Sequence, residues 1–295
     1  MYQTGGHFLT NVVTNSMMYL PDHITFINVH TGQKIITEVV IQAAALSASP
    51  RREDCLAAAL VEPLDGLFND RRLMIWRFDR DHDGISSYGP AFLAVDMVDL
   101  IFFDDSFYFL TNDEQLVTIS PAQLPVGATE LQGEPRKLMV QTDHNVYNPD
   151  FMVYQRYLCA SRGRLHMVTR LGDGTDTAQV VLFRLTSLPN DNAPQLRWTV
   201  DELAGRMLFL SPGCSRAYEV NDFPGAAEGV FFKDDTPHGE EMLELTQFDR
   251  TEMTKDAGIC AAPPNGPCDH FFELPPQLHG TCPHSASVWV LCGHP

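Results

Sequence analysis

The sequence predicts an all-β fold, a β-propeller of about six or seven small antiparallel blades with few helices. Strand-length runs rich in Ile, Val, Phe, Tyr and Leu recur along the chain, and turn-forming pairs separate them. A two-sheet sandwich of 295 residues would be unusually large. So many short strands must hide their sheet edges, which radial repetition does economically. No Trp-Asp or Gly-Gly repeat marks the blades, and the three tryptophans are too far apart to mark each one. The whole chain, 1–295, reads as one domain.

The elements follow in order. Candidate strands begin at Ile24 (ITFINV), Lys34 (KIITEVVI), Leu73 (LMIWRF), Leu100 (LIFF) and Phe107 (FYFL), with turns at Thr31-Gly32, Asp104-Asp105 and Asn112-Asp113. Runs from Tyr157 and Leu165 flank Ser161-Arg162-Gly163-Arg164, a connection short enough for a hairpin in which Gly163 takes positive φ. Further strands at Gln179 (QVVLFRL) and Gln195 (QLRWTV) extend that hairpin into a four-stranded meander. Helix competitors are weak: the alanine-rich Gln42 to Leu46 segment stops at Ser49-Pro50, and Asp201 to Arg206 allows at most a turn ended by Gly205. Ring closure would pair a last strand near Val288–Leu291 with an early one near Ile24.

The net charge of −18 repels phosphate backbones and anionic lipid, so nucleic acid and membrane surfaces are not expected as partners. No apolar run has the length of a membrane-spanning helix. Met1 to Leu20 lacks Lys and Arg and breaks its apolar stretches with Thr and Asn, unlike a secretory signal. A cytoplasmic or nuclear location, without secretion and with the seven cysteines reduced, is the expectation.

Chemical motifs are sparse. Asp79-Arg80-Asp81-His82-Asp83-Gly84 opens like a calcium loop, but Pro90 stands where a bidentate Glu is needed, and a solvated hairpin tip is the better reading. Cys260, Cys268, Cys282 and Cys292 lie among His270, His279, His284 and His294, without a Cys-x₂₋₄-Cys knuckle. No nucleophile elbow, zinc-protease helix, phosphate loop or dinucleotide loop occurs. No catalytic, cofactor-binding or metal-ligating residue is therefore assigned. The competing enzyme reading would draw on Cys159 or on the tail Cys/His group, at the propeller centre or near the C-terminus.

A collinear series from Gln155 onward carries a family resemblance. It runs QRYLCASRGRLHMVTRL and VVLFRL, then Trp198 ahead of Leu203-Ala204-Gly205-Arg206. Leu208-Phe209-Leu210 and Cys214-Ser215 follow, then Asp222-Phe223-Pro224-Gly225 and Asp234-Asp235. The series resembles the plant KIB-type β-propeller family, often found behind an F-box. Looser agreement at Asn28 to Gly32 and Val98 to Ile119 extends it over residues 25–289. Physically these residues read as architecture: Pro224-Gly225 suits the centre of a type II turn, Asp222 its side-chain cap, and Trp198 a place between sheets.

The resemblance implies a propeller that recognises another protein, either a ubiquitination target or a kinase; some family members bind shaggy-like kinases. The chain leaves no room for an F-box before Ile24, so a Skp-type adaptor is not expected. A shortened relative without ligase function is a further alternative. The comparison supplies no catalytic residue and no target-binding residue.

Overall fold

The computed structural model describes residues 34–232 apart from 49–53, 64–70, 79–84, 94–95, 125–132, 174–176, 189–194 and 224–225. It also describes short strands at 8–11, 16–19, 23–27, 258–260 and 271–273. Strands β1 (Phe8–Asn11) and β2 (Ser16–Tyr19) form an antiparallel ribbon. The first large sheet is a meander of β3 (His23–Ile27), β4 (Lys34–Leu46), β5 (Leu56–Pro63), β6 (Arg72–Phe78) and β7 (Ile85–Leu93). The second is β8 (Met97–Phe103), β9 (Ser106–Thr111), β10 (Leu116–Ile119) and β11 (Arg136–Leu138), again in sequence order.

In the third sheet, β12 (Val140–Thr142) lies beside β16 (Gln195–Val200), and β15 (Thr177–Leu188), β14 (Arg164–Gly172) and β13 (Met152–Ser161) follow across it. The fourth sheet places β17 (Arg206–Leu210) between β18 (Arg216–Glu219) and β19 (Gly229–Phe232). A ribbon of β20 (Gly258–Cys260) and β21 (Phe271–Glu273) follows. The described helices are three 3₁₀ turns, at Pro121–Gln123, His144–Val146 and Val220–Asp222. None of the described helices is long and apolar enough to cross a membrane.

The expected hairpin at Ser161–Arg164 forms, with Ser161 paired to Arg164 and both intervening residues at positive φ, +50° for Arg162 and +69° for Gly163. Two positive-φ residues make the primed turn whose twist matches the flanking strands. Two departures from purely antiparallel blades appear: β12 pairs in parallel with β16, and β17 with β19. Both arise from connections rather than hairpins. β12 comes straight from the edge of the second sheet to the outer strand of the third, while the chain between β18 and β19 turns back through a 3₁₀ turn.

Alternation along the strands explains the stacking. In β5, Leu56, Ala58 and Leu60 share a buried cluster with Leu100, Phe107 and Phe109 of the second sheet, while Ala57, Ala59 and Val61 face away into another. Ile101 and Leu110 of the second sheet instead join Leu158, Met167 and Phe183 of the third. Tyr157, Cys159, Val168 and Leu182 of the third turn to Leu208, Leu210, Val230 and Phe232 of the fourth. The second and third sheets are thus apolar on both faces and sandwiched, as blades must be, since a half-polar sheet could not stack twice. Each fully buried large side chain contributes about 2 kcal/mol relative to exposure. The proposed Val288–Leu291 closing strand lies outside the described residues.

Polar contacts bolt these layers. A register shift in β8 turns the fully buried Asp99 inward, where its carboxylate accepts the N–H groups of Leu100 (2.8 Å), Leu158 (2.6 Å) and Gly213 (2.5 Å). One side chain thereby joins the second, third and fourth sheets. Gly213 sits at φ +69°, and a Cβ there would come within 2.6 Å of the Ala44 carbonyl oxygen, so only glycine fits. Buried Glu114 accepts from Tyr147 Oη (2.8 Å) and Arg156 Nε (3.0 Å). Burial, then the Glu114 charge, pushes the Tyr147 hydroxyl far above its ordinary range.

Candidate functional site

The face of β14 turned to the fourth sheet carries Arg164, His166, Val168 and Arg170, because alternate residues of a strand share a side. Its far end is closed. Arg170 is fully buried, donating to Tyr157 Oη (2.9 Å) and Thr177 Oγ1 (2.9 Å), with its guanidinium 3.8 Å over the Phe232 ring.

The near end opens into a cleft of about 330 Å³ lined by Ser161, Arg162, Arg164, His166, Arg184, Asp201, Ala204 and Arg206. Three local features shape it. The tight hairpin carries Arg162 and Arg164 to its rim; pairing of His166 with Arg184 across β14 and β15 places them side by side; and the connection from β16 to β17 brings in Asp201 and Arg206. That connection needs two positive-φ residues, Ala204 (+48°) and Gly205 (+81°).

Hydrogen bonds fix the state of each group. Buried Arg206 donates to Asp201 Oδ2 (3.0 Å), to the Leu203 carbonyl (2.6 Å) and to the Glu202 carbonyl. Its Nη1 lies 3.1 Å from His166 Nε2, which also stands 3.2 Å from Asp201 Oδ2, while His166 Nδ1 is 3.2 Å from the Arg164 carbonyl. A guanidinium can only donate and a carboxylate only accept, so Nε2 sits between the two charges of the Arg206–Asp201 pair. Burial and then the Arg206 charge lower the His166 pKa, which favours the neutral imidazole. Against the upward push of burial, the Arg206 hydrogen bond and charge, with Arg184 and His166, hold the Asp201 carboxyl below its ordinary range. At the rim, Arg162 grips Glu219 with two bonds (2.8 and 2.5 Å).

Chemically the cleft offers a cluster of positive charge, and His166 Nε2 is held between Arg206 and Asp201. Cys159 is fully buried, and burial pushes its thiol up to about 12, so it is not a thiolate at neutral pH. No cluster of three or more His, Cys, Asp or Glu with metal-holding geometry occurs among the described residues.

The model of the KIB1-4 beta-propeller family matches residues 2–259. The chain belongs to that family. No curated protein matches it.

The family motif residues named from the sequence that are among the described residues do not line this cleft. Trp198 is buried between the second and third sheets, its Nε1 donating to the Glu114 carbonyl (2.9 Å). Leu208 and Leu210 fill the core between the third and fourth sheets, and Phe209 stacks on Phe231 at 4.7 Å. Gly205 accepts no side chain in its bend without strain, and its N–H donates to Glu228 (2.7 Å). Half-buried Cys214 follows Gly213 in the loop that meets Asp99.

Phe223 packs edge-on against Tyr218 at 5.6 Å, and the Ala226 N–H donates to its carbonyl at 3.0 Å, the bond expected of a four-residue turn. Asp222 is exposed and its side chain makes no hydrogen bond among the described residues. Pro224, Gly225, Asp234 and Asp235 lie outside the described residues, as do the Asp79–Gly84 loop and the histidines of the tail with Cys268, Cys282 and Cys292. The cleft itself went unnoticed in the sequence. Its signal was arginine density around one hairpin in an otherwise acidic chain.

Proposed function

We propose that this KIB1-4 family chain is a non-enzymatic interaction module, a propeller that holds a protein partner such as a kinase or a ubiquitination target. The observation that carries this reading is the use of both sheet faces for internal packing. The second and third sheets bury both sides, so loops, hairpin tips and sheet ends remain for contact with other molecules. The open recess beside β14 supports the same reading, since it presents fixed charge while its imidazole is held within the Arg206–Asp201 pair and burial keeps the nearby thiol protonated.

The acidic chain as a whole favours partners with basic surface, and such attraction weakens as salt screens it. Titration calorimetry of the full chain against a purified shaggy-like kinase at low and high salt tests the proposal. Saturable binding that weakens with salt, with both masses unchanged afterwards, is the expected result. No binding at low salt, or turnover of the kinase by the chain, would contradict it.

A further inference from the structure

We propose that the cleft beside β14 is a receptor for a phosphorylated side chain on a partner polypeptide, with Arg164 and Arg184 as its two binding forks. This deepens the interaction reading and rests on it. The first argument is an inventory of the four arginines in the cleft. Arg162 is committed to Glu219, and Arg206 to Asp201 and two backbone carbonyls. The exposed Arg164 side chain makes no hydrogen bond among the described residues. Arg184 forms an ion pair with Asp201 Oδ1 at 3.7 Å, beyond hydrogen-bond reach, and its Nε has no hydrogen-bond partner among the described residues.

The Arg184 side chain is about one-third exposed, so its guanidinium stays within reach of an acceptor entering the cleft. Arg184 pairs with His166, two residues from Arg164 along β14, so the two arginines are diagonal neighbours on one face. Two planar forks converging on one recess ask for more acceptors than a carboxylate's two oxygens. A phosphate monoester supplies three oxygens and nearly two charges.

The surroundings fit an anion of that size. Four arginines meet two carboxylates, Asp201 and Glu219, so the recess is locally positive on a chain of net charge −18. Field lines that are repulsive elsewhere converge to attract an anion here. His166 Nε2 is held beside Arg206 and Asp201, and an imidazole adds no negative charge to the recess. The recess of about 330 Å³ takes a side-chain head group and leaves the rest of the peptide on the hairpin rim.

The test follows the arginine Nε–H resonances of the full chain by NMR. Its probes are N-acetyl-phosphothreonine amide, inorganic phosphate and N-acetylglutamate amide. The expected result is that the phosphothreonine compound shifts the Arg184 Nε–H saturably and binds more tightly than the other two. Arg164→Ala and Arg184→Gln should each weaken binding at least tenfold while the melting temperature holds. Inorganic phosphate binding as tightly as phosphothreonine would overturn the peptide assignment; equal response to the glutamate compound would overturn the phosphate preference; undiminished binding to the double variant would overturn the site. If none of the probes binds while the kinase still does, this inference falls and the interaction reading stands. If the kinase fails too, both fall.

Discussion

The two ends of β14 use the same residue type on the same face for opposite purposes. Arg170 is enclosed between the third and fourth sheets, with two hydroxyls and an aromatic ring taking up its guanidinium. Arg164, three pairs along the same face, is exposed with its donors open to solvent. What separates a structural arginine from a candidate binding arginine is therefore the partners left over, more than the residue or the strand. Between them the His166, Asp201 and Arg206 cluster is internally satisfied and holds the open end in shape.

That contrast can be broken by substitution, and the closed end should respond most. Arg170→Ala leaves a cavity and two buried hydroxyls without their donor, and equilibrium urea unfolding should register a loss of about 4 kcal/mol. Asp201→Ala strips buried Arg206 of its carboxylate and should lose about 3 kcal/mol by the same measurement. A smaller effect is expected from acid. The His166 pKa lies below its unfolded value of 6.5, so between the two values the unfolded chain binds the extra proton.

Its contribution is then fully present above pH 6.5 and is lost as pH falls through the folded value. The facing charges are Arg206, Arg184, Arg164 and Asp201; Asp201, itself held low, loses its contribution only in more acid solution. Urea midpoints should fall below pH 6.5 in the native chain and fall less in His166→Gln. Smallest of all, Arg162→Ala removes a solvent-exposed pair with Glu219 and should leave the thermal midpoint almost unchanged.

Legibility in the sequence followed the range of the interactions. The Ser161–Arg164 hairpin and the meander after it could be read because their turn residues and alternation are local. Strand β5 escaped notice because Ala57, Ala58 and Ala59 carry little strand preference; in the fold their small side chains let sheets pack closely on both sides. The parallel partners β12 and β19 were hidden because nothing local encodes pairing across a connection. Asp99 looked like any strand-start aspartate, since its three amide donors come from residues 100, 158 and 213. The cleft was illegible for the same reason: Arg164, Arg184 and Asp201 converge only after three strands and a connection are in place. Family motif residues such as Trp198 and Leu208 were legible as core because their chemistry allows little else.

The most direct test of the central claim is the urea midpoint of the Arg164→Ala/Arg184→Gln double variant beside that of Arg170→Ala. The account predicts that the double variant unfolds close to the native midpoint, because it removes an exposed arginine and a partly exposed one whose ion pair with Asp201 is long, while Arg170→Ala unfolds far earlier. A double variant that unfolds as early as Arg170→Ala would show the open arginines to be part of the scaffold, and would contradict the account.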